Sequence, residues 1–201
     1  MPYLQPATNN YFGFIPAITE PPHRTSPYLV SSSCAVINIG DAVALSTRGD
    51  FVQPYLQSSA PIVGIAANRV LAGDGSTAAN MRSGSSQICL VYDDPMALFV
   101  GCDTTSGVIG TSLALGVHID ILSSGAVGST GAGVSGRSNQ ALSGATKSTG
   151  VALLPFSVVA MHPVERALST VASATAATSS EVRKWIVQPF HHAYALKTTS
   201  T

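Results

Sequence analysis

Cys34-Ala35-Val36-Ile37-Asn38-Ile39, Ala42-Val43-Ala44-Leu45, Phe51-Val52 and Ile62-Val63-Gly64-Ile65-Ala66-Ala67 are four short apolar runs, and what separates them decides the fold. Gly40-Asp41, Arg48-Gly49-Asp50 and Ser58–Pro61 fall between them. Short runs rich in β-branched residues, punctuated by turn residues, are the signature of strands joined by tight connections. Working outward, Gln87–Val91 and Ala97–Cys102 flank Tyr92-Asp93-Asp94-Pro95, whose Asp and Pro residues suit a turn or a bulged connection. Val117–Leu122 alternates Val117, Ile119 and Ile121 with His118 and Asp120, the period of a half-buried strand. Val151–Met161 and Trp185–Leu196 add two more strands. The expected fold is mainly β, with eight or nine short strands in a small antiparallel β-barrel or β-sandwich.

Two stretches stand apart. Residues 1–30 carry Pro2, Pro6, Pro16, Pro21, Pro22 and Pro27 interleaved with Tyr3, Tyr11, Phe12, Phe14 and Tyr28. Proline removes a backbone donor and fixes φ, which argues against a helix or a central strand, so the segment reads as an extended arm. Its aromatics are costly to leave in water, because burying one is worth about 1.5–3 kcal/mol. The arm is therefore expected to lie on its own domain or on a partner, with Tyr3, Tyr11, Phe12, Phe14 and Tyr28 as partner-binding candidates. Residues 31–201 form a single β-domain in this reading. Within it, residues 123–149 contain six Gly and seven Ser and read as a flexible excursion. Val164–Ser180 is Ala- and Thr-rich and is read as a short helix or a linker.

Composition narrows the function classes. The 201 residues carry ten Lys+Arg against ten Asp+Glu, a formal net charge of zero, which excludes a basic nucleic-acid glove. Charged residues make up 10% of the chain, where ordinary soluble domains have about 25%. With 26 Ser and 17 Thr, the surface is one of hydroxyls and methyls, and weak charge repulsion favours self-association. Cys34, Cys89 and Cys102 are an odd number at no metal-ligand spacing and read as buried thiols. No basic and apolar leader opens the chain, and no apolar run reaches the ~18 residues that span a bilayer, so a soluble chain with no membrane partner is expected.

The motifs that could carry chemistry lack their context. Gly131-Ala132-Gly133-Val134-Ser135-Gly136 matches the dinucleotide pattern letter by letter, but its flanks are Gly- and Ser-rich rather than strand and helix. Arg48-Gly49-Asp50 spells an integrin-ligand tripeptide and reads as a hairpin turn. Asp74, Asp93, Asp94 and Asp103 offer oxygen ligands at no recognised cation spacing. His23, His118, His162, His191 and His192 are available as bases, yet no motif sets any of them beside a nucleophile. His191 and His192, read on the last strand, point to opposite faces. The expectation is a non-enzyme with no catalytic residue, cofactor or metal.

Four segments, in order, resemble the capsid decoration, or cement, proteins of tailed bacteriophages. They are Gly40-Asp41-Ala42-Val43, Pro61-Ile62-Val63-Gly64-Ile65-Ala66, Val91-Tyr92-Asp93-Asp94-Pro95-Met96-Ala97-Leu98-Phe99-Val100, and Trp185-Ile186-Val187-Gln188-Pro189-Phe190-His191-His192-Ala193-Tyr194. The resemblance spans about Ser33–Leu196. It implies a small β-barrel or sandwich, assembled as dimers or trimers, that binds the major capsid protein across subunit boundaries on the outer capsid surface after synthesis in the host cytoplasm. The Tyr92–Pro95 turn and the strand after it match that family's most recognisable element, with a structural role. The Pro-rich arm and the 123–149 segment depart from the pattern. The competing expectations are another phage structural component, such as a head-fibre base, tail or host-surface-binding module, and a hydrolase built on a His and a turn Asp.

Overall fold

A computed structural model of the chain describes residues 13–17, 24–30, 34–46, 49, 51–55, 61–70, 87–102, 116–121, 138, 140–148, 153–162 and 184–194. Among them there are eleven strands and no helix: β1 Ile15–Pro16, β2 Thr25–Val30, β3 Ala42–Leu45, β4 Val52–Pro54, β5 Ile62–Ala66, β6 Gln87–Tyr92, β7 Phe99–Cys102, β8 His118–Ile121, β9 Leu142–Ser148, β10 Phe156–Met161 and β11 Lys184–Pro189. They form a closed barrel, β2-β4-β3-β5-β6, and a six-stranded sheet in the order β1-β7-β11-β10-β8-β9. The mainly β reading holds, and the architecture is a barrel with a second curled sheet against it. Every named strand pairing is antiparallel except a single parallel pair, Val30 with Val52, that closes β2 onto β4.

Two apolar clusters explain why these runs fold this way. One fills the barrel: Val30, Ile37, Val43, Val52, Val63, Ala66, Val70, Cys89 and Val91. The other lies between barrel and sheet, where Ala42, Ala44, Ile62 and Ile65 from the barrel's outside meet Phe99, Ile119, Leu142, Phe156, Trp185 and Val187 from the sheet. Strands β3 and β5 therefore contribute to both clusters, which is why Ile62–Ala66 is buried at every position rather than alternating. Gly64 is required by this crowding, because a Cβ there would run into the Tyr92 carbonyl of β6.

A buried polar network crosses the same seam. The Gln140 side chain accepts from Ala42 N–H at 2.7 Å and donates to the Tyr55 carbonyl, while Tyr55 Oη donates to Asp120 at 3.2 Å. Asp41 accepts from Asn38 N–H at 2.7 Å and from the Ser138 hydroxyl. Buried polar groups must be paired, and here the pairing fixes how the sheet sits on the barrel. A second junction is the segment after β11, where Ile62 N–H donates to the His191 carbonyl and Ala193 N–H to the Ile62 carbonyl.

Several expectations are corrected. The arm does not run to residue 30, because Thr25–Val30 is a full barrel strand paired with β6 along its whole length. Pro27 is tolerated there because it faces Leu90, whose own N–H and C=O bond to Asn68 and Ala67 on the other side, so no ladder bond is expected at that position. Nor is 123–149 one excursion: Leu142–Ser148 is β9, paired with β8, and Ser138, Gln140, Ala141 and Leu142 are buried. This strand is placed by backbone pairing with β8, and its sequence lacks the apolar period that marks a strand. In the Trp185–Leu196 run the strand β11 ends at Pro189; beyond it His192 makes an isolated parallel bridge with Ile62, and His191 and His192 are both buried rather than alternating. The run Cys34–Ile39 makes an isolated bridge, Ile37 with Val70, and no named strand. The candidate helix or linker at 164–180 and the dinucleotide-like Gly131–Gly136 lie outside the described residues.

Candidate functional site

The outside of β2 and β6 is the part of the barrel that the six-stranded sheet does not cover. Alternation along β2 sends Tyr28 and Val30 toward the barrel interior and leaves Thr25, Pro27 and Leu29 exposed. Along β6 it buries Cys89 and Val91 and exposes Ile88 and Leu90. In a sheet with one wet face the outward positions are normally polar. Here Pro27 faces Leu90 and Leu29 faces Ile88, so two adjacent cross-strand pairs present apolar side chains to water. Leu29, Ile88 and Leu90 keep 49%, 56% and 40% of their surface accessible. Both pairs are of the kind without mutual ladder bonds, in which the side chains stand closest together. The patch is continuous, and contiguous exposed apolar surface marks an interaction site more often than scattered residues do.

The edge beside this patch is capped. Beyond the end of β5, Asn68 Oδ1 accepts from Leu90 N–H at 2.7 Å and Asn68 Nδ2 donates to the Ile88 carbonyl at 3.1 Å. A side-chain amide thus stands where another strand could pair, which blunts strand addition and leaves the face itself for contact.

A polar rim closes the other end. Asp93, only 3% exposed, accepts from Arg24 Nε at 3.2 Å, from Arg24 Nη2 at 3.0 Å and from Tyr28 Oη at 2.9 Å. Burial alone would raise its carboxyl, but the hydrogen bonds from Arg24, Ser26 and Tyr28 outweigh it and hold the group below the usual carboxylate range. The Tyr28 phenol is pushed up, first by burial and then by hydrogen bonds with Tyr194 and Asp93. The following turn is set by Asp94, whose carboxylate accepts from Met96 N–H at 2.8 Å and whose carbonyl accepts from Ala97 N–H. This is the expected turn after β6.

The aromatic partner-binding candidates are placed as follows. Phe14 is 1% exposed in its own core, stacked on Phe156 with ring centroids 4.6 Å apart, so it anchors this domain rather than a neighbour. Tyr28 is half-buried with its hydroxyl committed to Asp93. Tyr3, Tyr11 and Phe12 lie outside the described residues. Leu29, Ile88 and Leu90 were not singled out from the sequence, because which face of a strand meets water is settled by barrel closure and not by the strand's own residues.

The polar groups of the seam between barrel and sheet are buried. Ser138, Asp41 and Asp120 are 1%, 1% and 5% exposed, so the seam network offers a substrate no accessible oxygen. Burial lowers both His118 and His192, leaving the imidazoles neutral near pH 7; for His192 the Val63 backbone, Asp93 and Asp94 partly oppose it. His118 stacks on Phe190, centroids 3.6 Å apart. Arg48 and Asp50 are outside the described residues, but β3 and β4 form a hairpin about Gly49, whose N–H donates to the Ser46 carbonyl. Among the described residues no three His, Cys, Asp or Glu side chains converge on a metal position, and no helix is long and apolar enough to cross a membrane. Comparison with protein-family models, curated proteins and solved structures finds no match.

Proposed function

We propose that the protein is a virion structural protein that decorates and stabilises a tailed-phage capsid, binding the major capsid protein across subunit boundaries as a homo-oligomer on the outer surface. The observation that carries this reading is the apolar outer face of β2 and β6, where Pro27, Leu29, Ile88 and Leu90 occupy positions that water-facing strands fill with polar residues. Interface cores are depleted in charge, and the described outward residues of β2 and β6, Thr25, Pro27, Leu29, Ile88 and Leu90, carry none, with the Arg24–Asp93 pair at the rim. Four side chains are too few for a tight one-to-one complex. Repeated across a lattice, such a contact gains by avidity without any single site being strong. A protein that binds the assembled shell and not its free subunits stabilises the shell by its binding free energy. The sequence resemblance supplies the shell as the partner.

The test is co-sedimentation of the chain, and of a Leu29→Asp/Ile88→Asp variant, with shells assembled from the major capsid protein of the same source. Both positions are already exposed, so the variant is expected to fold. Saturable binding by the parent and at least tenfold weaker binding by the variant support the proposal. Equal binding by both removes the face from it, and no binding by the parent removes the capsid.

A further inference from the structure

The segment after β11 joins the six-stranded sheet to the barrel, and the join is made through backbone. Phe190 N–H donates to the Pro155 carbonyl, Ile62 N–H to the His191 carbonyl and Ala193 N–H to the Ile62 carbonyl, so residues 190–194 run beside the start of β5 as a short parallel clasp. Inside the clasp His192 is 4% exposed, and its Nδ1 accepts from Tyr194 N–H at 3.1 Å. That bond exists only while Nδ1 is unprotonated, because an imidazolium has two donors and no acceptor. Tyr194 carries the connection outward: its hydroxyl hydrogen-bonds that of Tyr28, which donates to Asp93 beside Arg24. The clasp therefore reaches the rim of the β2 and β6 face.

We infer that residues 190–194 are an acid-sensitive clasp, closed while the His192 imidazole is neutral and opened by its protonation. A proton on Nδ1 sets a donor against the Tyr194 N–H and puts a positive charge where water barely reaches. Burial holds the imidazole below its ordinary value near 6.5, against the Val63 backbone, Asp93 and Asp94, which favour the proton. Those two carboxylates, on the turn after β6, are the charges acting on the ring, and Asp93 is already paired with Arg24 and accepts from Tyr28. From β5, Ile62 and Val63 bring no titratable side chain, and within the clasp the titratable neighbours are His191 and Tyr194. Opening returns the ring to water and to its ordinary value. The closed state is thus fully favoured above about pH 6.5 and loses ground as pH falls below it, by up to about tenfold per unit. His118, stacked on Phe190 with centroids 3.6 Å apart, is also lowered by burial, but its stack tolerates a proton, since an aromatic face attracts a cation. Asp41, which burial raises to about 6, has the opposite sign, so acid loosens the clasp while it favours the Asp41 end of the seam. The inference does not rest on the capsid reading.

Hydrogen exchange of the full chain from pH 7.5 to pH 5, corrected for the intrinsic pH dependence of amide exchange, tests this, with His192→Asn and His118→Asn as variants. Asn offers a side-chain oxygen near the Nδ1 position at every pH. The parent is expected to lose protection at Ile62, Phe190, Ala193 and Tyr194 by about fivefold or more between pH 7 and pH 5.5, while 25–30 and 87–92 keep theirs. His192→Asn is expected to remove that dependence and His118→Asn to retain it. Imidazole resonances of the parent give a readout that needs no variant: His192 is expected to titrate below 6.5 with the same midpoint as the Tyr194 amide shift. Protection unchanged over this range overturns the inference. So does a loss shared equally by 25–30 and 87–92, a dependence that survives His192→Asn, or a His192 titration that leaves the Tyr194 amide unmoved.

Discussion

Asp41 sits just before β3 with 1% of its surface exposed, and burial pushes its carboxyl up to about 6 against the hydrogen bonds from Ser138 and Asn38. A folded-state pKa above the unfolded value means that the folded chain holds the proton more tightly. This group's stabilising contribution is then fully present below about pH 4 and is lost as pH rises through about 6, a swing of up to about 3 kcal/mol. Thermal melts from pH 4 to pH 8 are expected to show the parent falling behind Asp41→Asn as pH rises, with the two closest at the acid end; parallel curves would contradict this. Asp93 has the opposite sign, since its lowered carboxyl contributes above the unfolded value near 3.8 and loses that contribution in stronger acid. At Gly64 the constraint is steric. Gly64→Ala forces a methyl against the Tyr92 carbonyl and is expected to destabilise by about 1–3 kcal/mol in denaturant titration. Burial pushes the Cys34 and Cys89 thiols up to about 11 and about 12, so both stay protonated and react slowly with alkylating reagents at neutral pH until the chain unfolds.

Among the elements, β2 shows most clearly what a sequence conceals. Six prolines in thirty residues argue for an arm, and the ladder evades the argument by setting Pro27 where no bond is due and Tyr28, opposite Cys89, where one is. Pro27→Ala is therefore expected to leave the melting temperature within a few degrees, whereas Tyr28→Pro removes a ladder donor at about 3 kcal/mol or more and unpairs β2. Similar losses in the two variants would mean that the register is wrong. Strands with apolar runs bounded by turn residues, β3, β5, β7 and β10, were legible, as was the alternation of β8. Strand β9 was not, because Ser143-Gly144-Ala145-Thr146 offers no apolar side to read and its place is dictated by β8. Trp185 belongs to the legible set, and as the largest buried side chain between barrel and sheet its replacement by Ala is expected to cost about 3–5 kcal/mol.

At the scale of the molecule, a barrel with a curled sheet against it leaves the outer face of β2 and β6 uncovered among the described residues. That face is small and apolar, built from Pro27, Leu29, Ile88 and Leu90. A chain with 10% charged residues and no net charge keeps such a face in water only weakly, and the face is explained if it meets a shell. The sequence pointed to assembly through its composition and to the phage resemblance through four short segments, but it placed the contacts on the aromatic arm. The two of those five aromatics that are described, Phe14 and Tyr28, are instead committed within the domain. The most direct measurement is the thermal melt of shells built from the major capsid protein, with and without saturating amounts of this chain. The account predicts saturable, stoichiometric binding and a raised shell Tm that the Leu29→Asp/Ile88→Asp variant fails to produce; a shell Tm unchanged by a folded, saturating protein would contradict it.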